Sequence, residues 1–296
     1  MSDFVLSCCS TADLSKEYLE SRNIEYICFH YELDGISHLD DFGTTISLPE
    51  FYAAMAAGSE TSTSQVNISE YMDFFERKCR EGKDILHISF SSGLSGSFNS
   101  AKNAANICAE RYPERKIIII DSLAASSGYG LLMDKAADLR DEGMNIDELA
   151  AWVEENKLKL HHWFFSTDLT FYIKGGRVSK AAGVVAGILD ICPLLHVDRE
   201  GHLIPMEKVR TKKKVKLQTL KKMQDFAEGG EAYSEKVFIS NSACLQDAMD
   251  VARLVEENFP NMNGKVKIND IGTVIGSHTG PGTVALFFWG KSRAEE

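Results

Sequence analysis

Two short apolar runs, Ile85–Phe90 and Ile117–Ile120, limit what this chain can fold into more than any other feature. Runs of that length, rich in β-branched residues, read as strands buried on both faces of a sheet. Helical patterns over about Ser97–Arg111 and Leu123–Arg140 flank the second run. Strands alternating with helices specify a mainly parallel sheet covered by helices. The same alternation begins upstream, with a strand at Phe4–Leu6, a helix at Lys16–Ser21 and a strand at Ile24–Phe29. Asp34-Gly35 marks a hairpin. Pro49 suits the first turn of a helix, and Asn67–Arg80 places Tyr71, Phe74 and Phe75 on one helical face.

The pattern changes near Asn156. Trp163–Ser166, Leu194–Val197, Lys236–Ile239, Val266–Ile271 and Val284–Trp289 read as strands, interleaved with helices at Ala181–Ile188, Val209–Phe226 and Leu245–Asn258. Leu194–Val197 and His202–Pro205 flank a turn-like Asp198-Arg199-Glu200-Gly201, which favours a hairpin. The expected organisation is therefore an N-terminal α/β domain over residues 1–155 and a C-terminal mixed α+β domain over residues 156–296.

Composition removes several function classes. A net charge of −11 argues against nucleic acid, whose affinity comes mainly from lysine and arginine on phosphates. No apolar stretch approaches the roughly 20 residues of a membrane span, so at most transient membrane contact is expected. The start, Met1-Ser2-Asp3-Phe4, has no basic segment ahead of an apolar one, and the seven cysteines form no C-x-x-C pair. Together these features predict a cytoplasmic protein with reduced thiols and no metal.

Three segments carry hydroxyls, glycines and one imidazole: Thr63-Ser64-Gln65, Ser91-Ser92-Gly93-Leu94-Ser95-Gly96-Ser97 and Gly276-Ser277-His278-Thr279-Gly280. None contains lysine or arginine, a chemistry suited to one carboxylate and unsuited to a triphosphate. The middle segment follows a predicted strand and opens a predicted helix, where free N–H groups and the helix dipole favour an anion. Taken alone, such a loop is more often a serine N-cap with a flexible turn than a binding site. Thr63-Ser64-Gln65 reads as an N-cap neighbourhood, and His278 sits in what reads as a glycine-rich loop.

Taken with further segments, these resemble the DegV family, fatty-acid-binding proteins that serve as the lipid-carrying subunit of bacterial fatty acid kinase. The resemblance includes Ser10-Thr11 with Leu14, Glu50-Phe51-Tyr52 with Met55, and Asp121-Ser122. It extends through Gly175-Gly176-Arg177-Val178-Ser179, Lys208-Val209-Arg210-Thr211-Lys212 and the loop at Gly276–Gly282. It implies two α/β domains with a lipid between them. The fatty-acid carboxylate would be held among Thr63, Ser64, Ser92, Ser95, Gly96, Ser97, His278, Thr279 and Ser10, without a cofactor. Arg177 would dock the partner kinase. One departure is Cys9, which stands where the family usually carries an acidic residue before the first Ser-Thr. The tail is expected along Ala181–Ile188, with Leu189, Ile191, Phe164 and Phe165.

Phosphorylating a bound acid needs ATP, yet the chain has no G-x-x-x-x-G-K-[ST] and no kinase signature set. The phosphoryl chemistry is therefore assigned to an ATP-dependent partner kinase. Lys174 with Arg177 and Lys180, and the run Lys208–Lys216, are the basic elements available to an acidic partner surface, although Lys212–Lys216 also reads as a solvated helix face. A competing reading is a serine-type acyl hydrolase using Ser95 and His278. It lacks the G-x-S-x-G elbow, since Ser95 stands in Gly93-Leu94-Ser95-Gly96.

Overall fold

The computed structural model describes residues 4–179 and 191–295. Its N-terminal strands are β1 (Phe4–Cys9), β2 (Ile24–Ile27), β3 (His30–Leu33), β4 (Ile36–Leu39), β5 (Thr61–Ser64), β6 (Asp84–Ser89) and β7 (Ile117–Asp121). Four of them form a wholly parallel sheet in the order β2-β1-β6-β7. β6 lies inside and is buried almost throughout. β7 is an edge strand, so Ile117, Ile118 and Ile119 are only half-buried and not enclosed on both faces as their run suggests.

The Asp34-Gly35 turn does join a hairpin, with Gly35 at φ 79°. It belongs to a separate three-stranded antiparallel sheet in the order β4-β3-β5. Thr61–Ser64 is the third strand, pairing Tyr31 with Thr63 and His30 with Ser64. The N-cap expectation for this segment is corrected: Asn67 alone caps the helix Ile68–Arg80, through a reciprocal box with Glu70. Hydroxyl-rich Thr61–Ser64 is extended because it pairs with β3, and strand alternation leaves Thr63 on the inner face.

The C-terminal strands are β8 (Leu160–Phe165), β9 (Ile191–Val197), β10 (Leu203–Arg210), β11 (Phe238–Asn241), β12 (Lys267–Asp270) and β13 (Val284–Trp289). They form one mixed sheet in the order β10-β9-β8-β13-β11-β12, parallel only between β11 and β12. The β9–β10 hairpin turns at Asp198–Gly201 and runs to Arg210. Val209 and Arg210 are thus strand residues, and the helix expected from Val209 begins at Lys212, capped by Thr211. The helical segment expected at Ala181–Ile188, with Leu189, lies outside the described residues, as does Lys180.

The helix Ser126–Asp141 packs against the C-terminal sheet at β8, β11 and β13, and against the turn Ser10–Ala12 after β1. Its start is displaced from the expected Leu123, which adopts a left-handed φ of 50°. Asp134 on this helix is fully buried and receives Tyr18, Arg22 and Lys236, so both parts of the chain share one ion-pair network.

Candidate functional site

The helix Ser97–Arg111 follows Gly96, whose lack of a side chain leaves the helix's first N–H groups to be met from the serine loop. The loop is held from behind. Ser92 N and Leu123 N both donate to Asp121 Oδ1 at 3.1 Å, and Ser91 Oγ donates to Gly201 O at 3.0 Å in the β9–β10 turn. Ser95 Oγ accepts from Ser97 N at 3.2 Å, which leaves its proton free to donate elsewhere.

Opposite the loop stands a helix, Thr273–Thr279, that carries His278 in its last turn. The expectation of a glycine-rich loop at His278 is corrected on this point, since Gly276 lies within the helix and only Gly280 and Gly282, at φ 66° and 93°, follow it. His278 Nε2 lies 2.7 Å from Thr63 Oγ1. Its Nδ1 is buried without a hydrogen-bond partner among the described residues. A buried bare acceptor costs less than a buried unpaired N–H, so the hydrogen-bond network assigns the proton to Nε2. The imidazole then donates to Thr63, and the Thr63 hydroxyl is left to donate to a ligand. Burial, and to a lesser degree the neighbouring Arg177 cation, lowers the His278 pKa to about 4, so the ring is neutral at pH 7.

Thr63 and His278 open onto a cavity of about 580 Å³. Thr63, Ser64, Ser92, Ser95, Gly96, His278 and Thr279 all line it. Ser64, Ser92 and Gly96 are exposed at one end. Phe164, Val197, Ala285 and Phe287 line it deeper in and are buried. The cavity thus runs from a polar mouth to an apolar interior. Phe29, Phe90, Ile271 and Val274 also line it, and no sequence spacing pointed to them.

Other expected residues are placed elsewhere. Ser97 is buried and its hydroxyl pairs with Tyr71 at 2.8 Å. Ser10 is buried, accepts from Phe29 N at 3.1 Å and does not line the cavity. Phe165 and Ile191 do not line it either, whereas Phe164 does. Cys9 meets Tyr71 rather than Ser10, with Sγ 3.3 Å from the phenol oxygen; burial raises its pKa. Arg177 is the one formally charged side chain lining the cavity among the described residues. It is half-buried, and its guanidinium donates to Gly175 O at 2.5 Å and Leu94 O at 3.2 Å. Those bonds tie the helix Thr170–Lys174 to the serine loop and hold the half-buried cation at the cavity wall.

Gly175 has a role that sequence reasoning missed. A Cβ there would press into His278 Nδ1, so the imidazole fits only against a residue without a side chain. The arrangement brings neutral donors and one cation to the same cavity wall, a set suited to an anion. A Ser–His–acid relay is not assembled, because His278 faces Thr63 and no carboxylate meets its Nδ1 among the described residues. The described residues hold no cluster fit for a metal ion, and no helix among them is long and apolar enough to cross a membrane.

A family model described as "Uncharacterised protein, DegV family" matches residues 9–291. A DegV domain-containing protein of Clostridium perfringens is 36% identical over 293 residues, 99% of each chain. Among solved structures, a DegV lipid binding protein from Thermotoga maritima is similar with a TM-score of 0.82 and 26% identity, covering 99% of this chain and 100% of that one. A second Thermotoga maritima protein, whose structure reveals fatty acid binding function, matches with a TM-score of 0.80 and 26% identity over 98% of this chain and 100% of its own.

Proposed function

This chain belongs to the DegV family, and from that premise we propose that it binds one long-chain fatty acid with the carboxylate at the Thr63–His278 mouth. The observation that carries the reading is the cavity itself, hydroxyl-lined and exposed at one end, aromatic and buried along the rest. Burying a tail of about 16 carbons is worth roughly 12 kcal/mol in gross terms at ~0.8 kcal/mol per methylene. Desolvating the carboxylate costs several kcal/mol. Charge-assisted bonds from Thr63, Ser95 and a loop N–H, at about 1.5 to 3 kcal/mol each, bring that cost near balance. The tail supplies affinity and the mouth sets which end faces out.

We further propose that the exposed carboxylate is presented to an ATP-dependent partner kinase, which would convert it to an acyl phosphate for phospholipid synthesis. The support is the resemblance together with the exposed polar end. Arg177 was assigned to partner docking from resemblance; its place beside the mouth suits contact with a partner that approaches the head group. The binding claim is tested by mass spectrometry of an organic extract of the purified protein. A stoichiometric long-chain acid supports it. Protein that is empty and also takes up neither palmitate nor oleate overturns it. Acyl phosphate formation with a fatty acid kinase and ATP tests the second claim, and no turnover of acyl esters is expected.

A further inference from the structure

The helix Thr273–Thr279 that carries His278 has a glycine at its N-cap, which offers no side chain to its first N–H groups. Two carboxylates from far upstream take them. Gly272 N donates to Asp13 Oδ1 at 2.9 Å. Thr273 N and Thr273 Oγ1 donate to Asp40 Oδ1 at 3.2 and 2.7 Å. The fit is close: a Cβ on Gly272 would stand 2.8 Å from Asp13 Oδ1 and 3.3 Å from Asp40 Oδ1. Asp13 is held at φ 48°, and its second oxygen accepts from Ser126 Oγ at 2.5 Å.

Both carboxyl groups are buried, 6% and 3% exposed, and neither forms an ion pair among the described residues. The titratable groups facing them are Asp270, Asp41, Tyr52, Tyr31 and Cys28, none of them basic. Burial accordingly raises both pKa values. Packing alone would be served more cheaply by apolar residues, because a buried acid without a cation is costly. Beyond Ser126 on Asp13 and Ser10 on Asp40, what these acids share is the N-terminus of one two-turn helix, where hydrogen bonds and the dipole favour acceptors. The other end of that helix is the head-group site.

We propose that Asp13 and Asp40 are positioning residues of the lipid site: by clamping the start of Thr273–Thr279 they fix the height and tilt of His278 against Thr63. The inference rests on the fatty-acid reading for its ligand and on geometry for its mechanism. On a helix of seven residues, about 10 Å long, a shift at Gly272 moves the imidazole by a comparable amount.

The test uses the delipidated full chain, titrated with palmitate and with methyl palmitate, which lacks the anion. Asp40→Ala is expected to weaken palmitate at least tenfold and methyl palmitate less than twofold. Asp40→Asn, which keeps an oxygen acceptor, is expected to restore palmitate to within about threefold. Equal losses for both ligands, or an unchanged preference for the acid, overturn the proposal. If Asp40→Ala does not fold, Thr273→Val, which deletes only a hydroxyl, is judged by the same preference. In every variant the His278 imidazole is followed by NMR. Displacement from Thr63 is expected to shift the ring's nitrogen and proton resonances, and an unmoved spectrum also overturns the proposal. Wild-type protein that binds neither ligand refutes the fatty-acid reading alone, and the NMR readout still decides the positioning role.

Discussion

Thr63 has one hydroxyl hydrogen, and His278 decides where it points. With the proton assigned to Nε2, which then donates to Thr63 Oγ1 over 2.7 Å, the hydroxyl proton is left for a partner in the cavity. Thr63→Val keeps the shape of the β5 side chain and removes that donor. Palmitate affinity is expected to fall at least tenfold by calorimetry, about 1.5 to 3 kcal/mol for one charge-assisted bond, while Thr63→Ser retains most of it. The imidazole also responds to charge. In the empty protein burial holds its pKa near 4, and a carboxylate beside it stabilises the protonated ring and raises that value. Binding is therefore expected to take up protons as the pH falls toward about 4, with affinity rising over that range. The check is calorimetry in buffers of different ionisation enthalpy; zero proton uptake at pH 4.5 would count against it. Residue type singled out the three segments around Thr63, Ser95 and His278, and the family resemblance pointed to those residues within them. Neither could separate Ser95, which lines the cavity, from Ser97, whose hydroxyl is taken by Tyr71.

At the scale of elements, the site is four short pieces brought edge to edge: the strand β5, the serine loop, the helix Thr170–Lys174 and the helix Thr273–Thr279. Gly175 is the contact between the last two. Gly175→Ala places a methyl against His278 Nδ1, forcing the ring away from Thr63. The expected result is palmitate affinity reduced about tenfold in a variant whose circular dichroism is unchanged; undiminished binding would refute the contact. Helices and buried strands were legible because their periodicities of 3.6 and 2 are written in consecutive residues. Leu245–Asn258 and Ser97–Arg111 agree with the expected limits. β5 and the His278 helix were not legible. Each is short, and each holds its form through partners far away in sequence, Tyr31 for β5 and the two acids for the helix. Small hydroxyl residues also favour caps and turns when no such partner is present.

For the whole molecule, the buried histidines govern behaviour in acid. Burial lowers the pKa of His87 to about 3 and of His161 and His196 to about 4, and lowers His162 and His278 as well. Unfolded histidine titrates near 6.5, so between pH 6.5 and about 4 the unfolded chain binds more protons and stability falls with pH. Asp13 and Asp40, with raised values, bind protons more readily when folded and oppose this trend, but they are two groups against five. Urea unfolding is expected to show about 2 kcal/mol less stability at pH 5.5 than at pH 7.5; equal or greater stability at the lower pH would refute the sign. The sequence by itself determined the alternating first half, the mixed second half and the chemical character of the site, since these depend on composition and local period. The tertiary structure alone decided which hydroxyls meet the histidine, that Arg177 is held at the cavity wall, and that two acids hold the His278 helix from more than 230 residues away. Those outcomes are set by through-space packing between segments whose order in the chain carries no record of their distance.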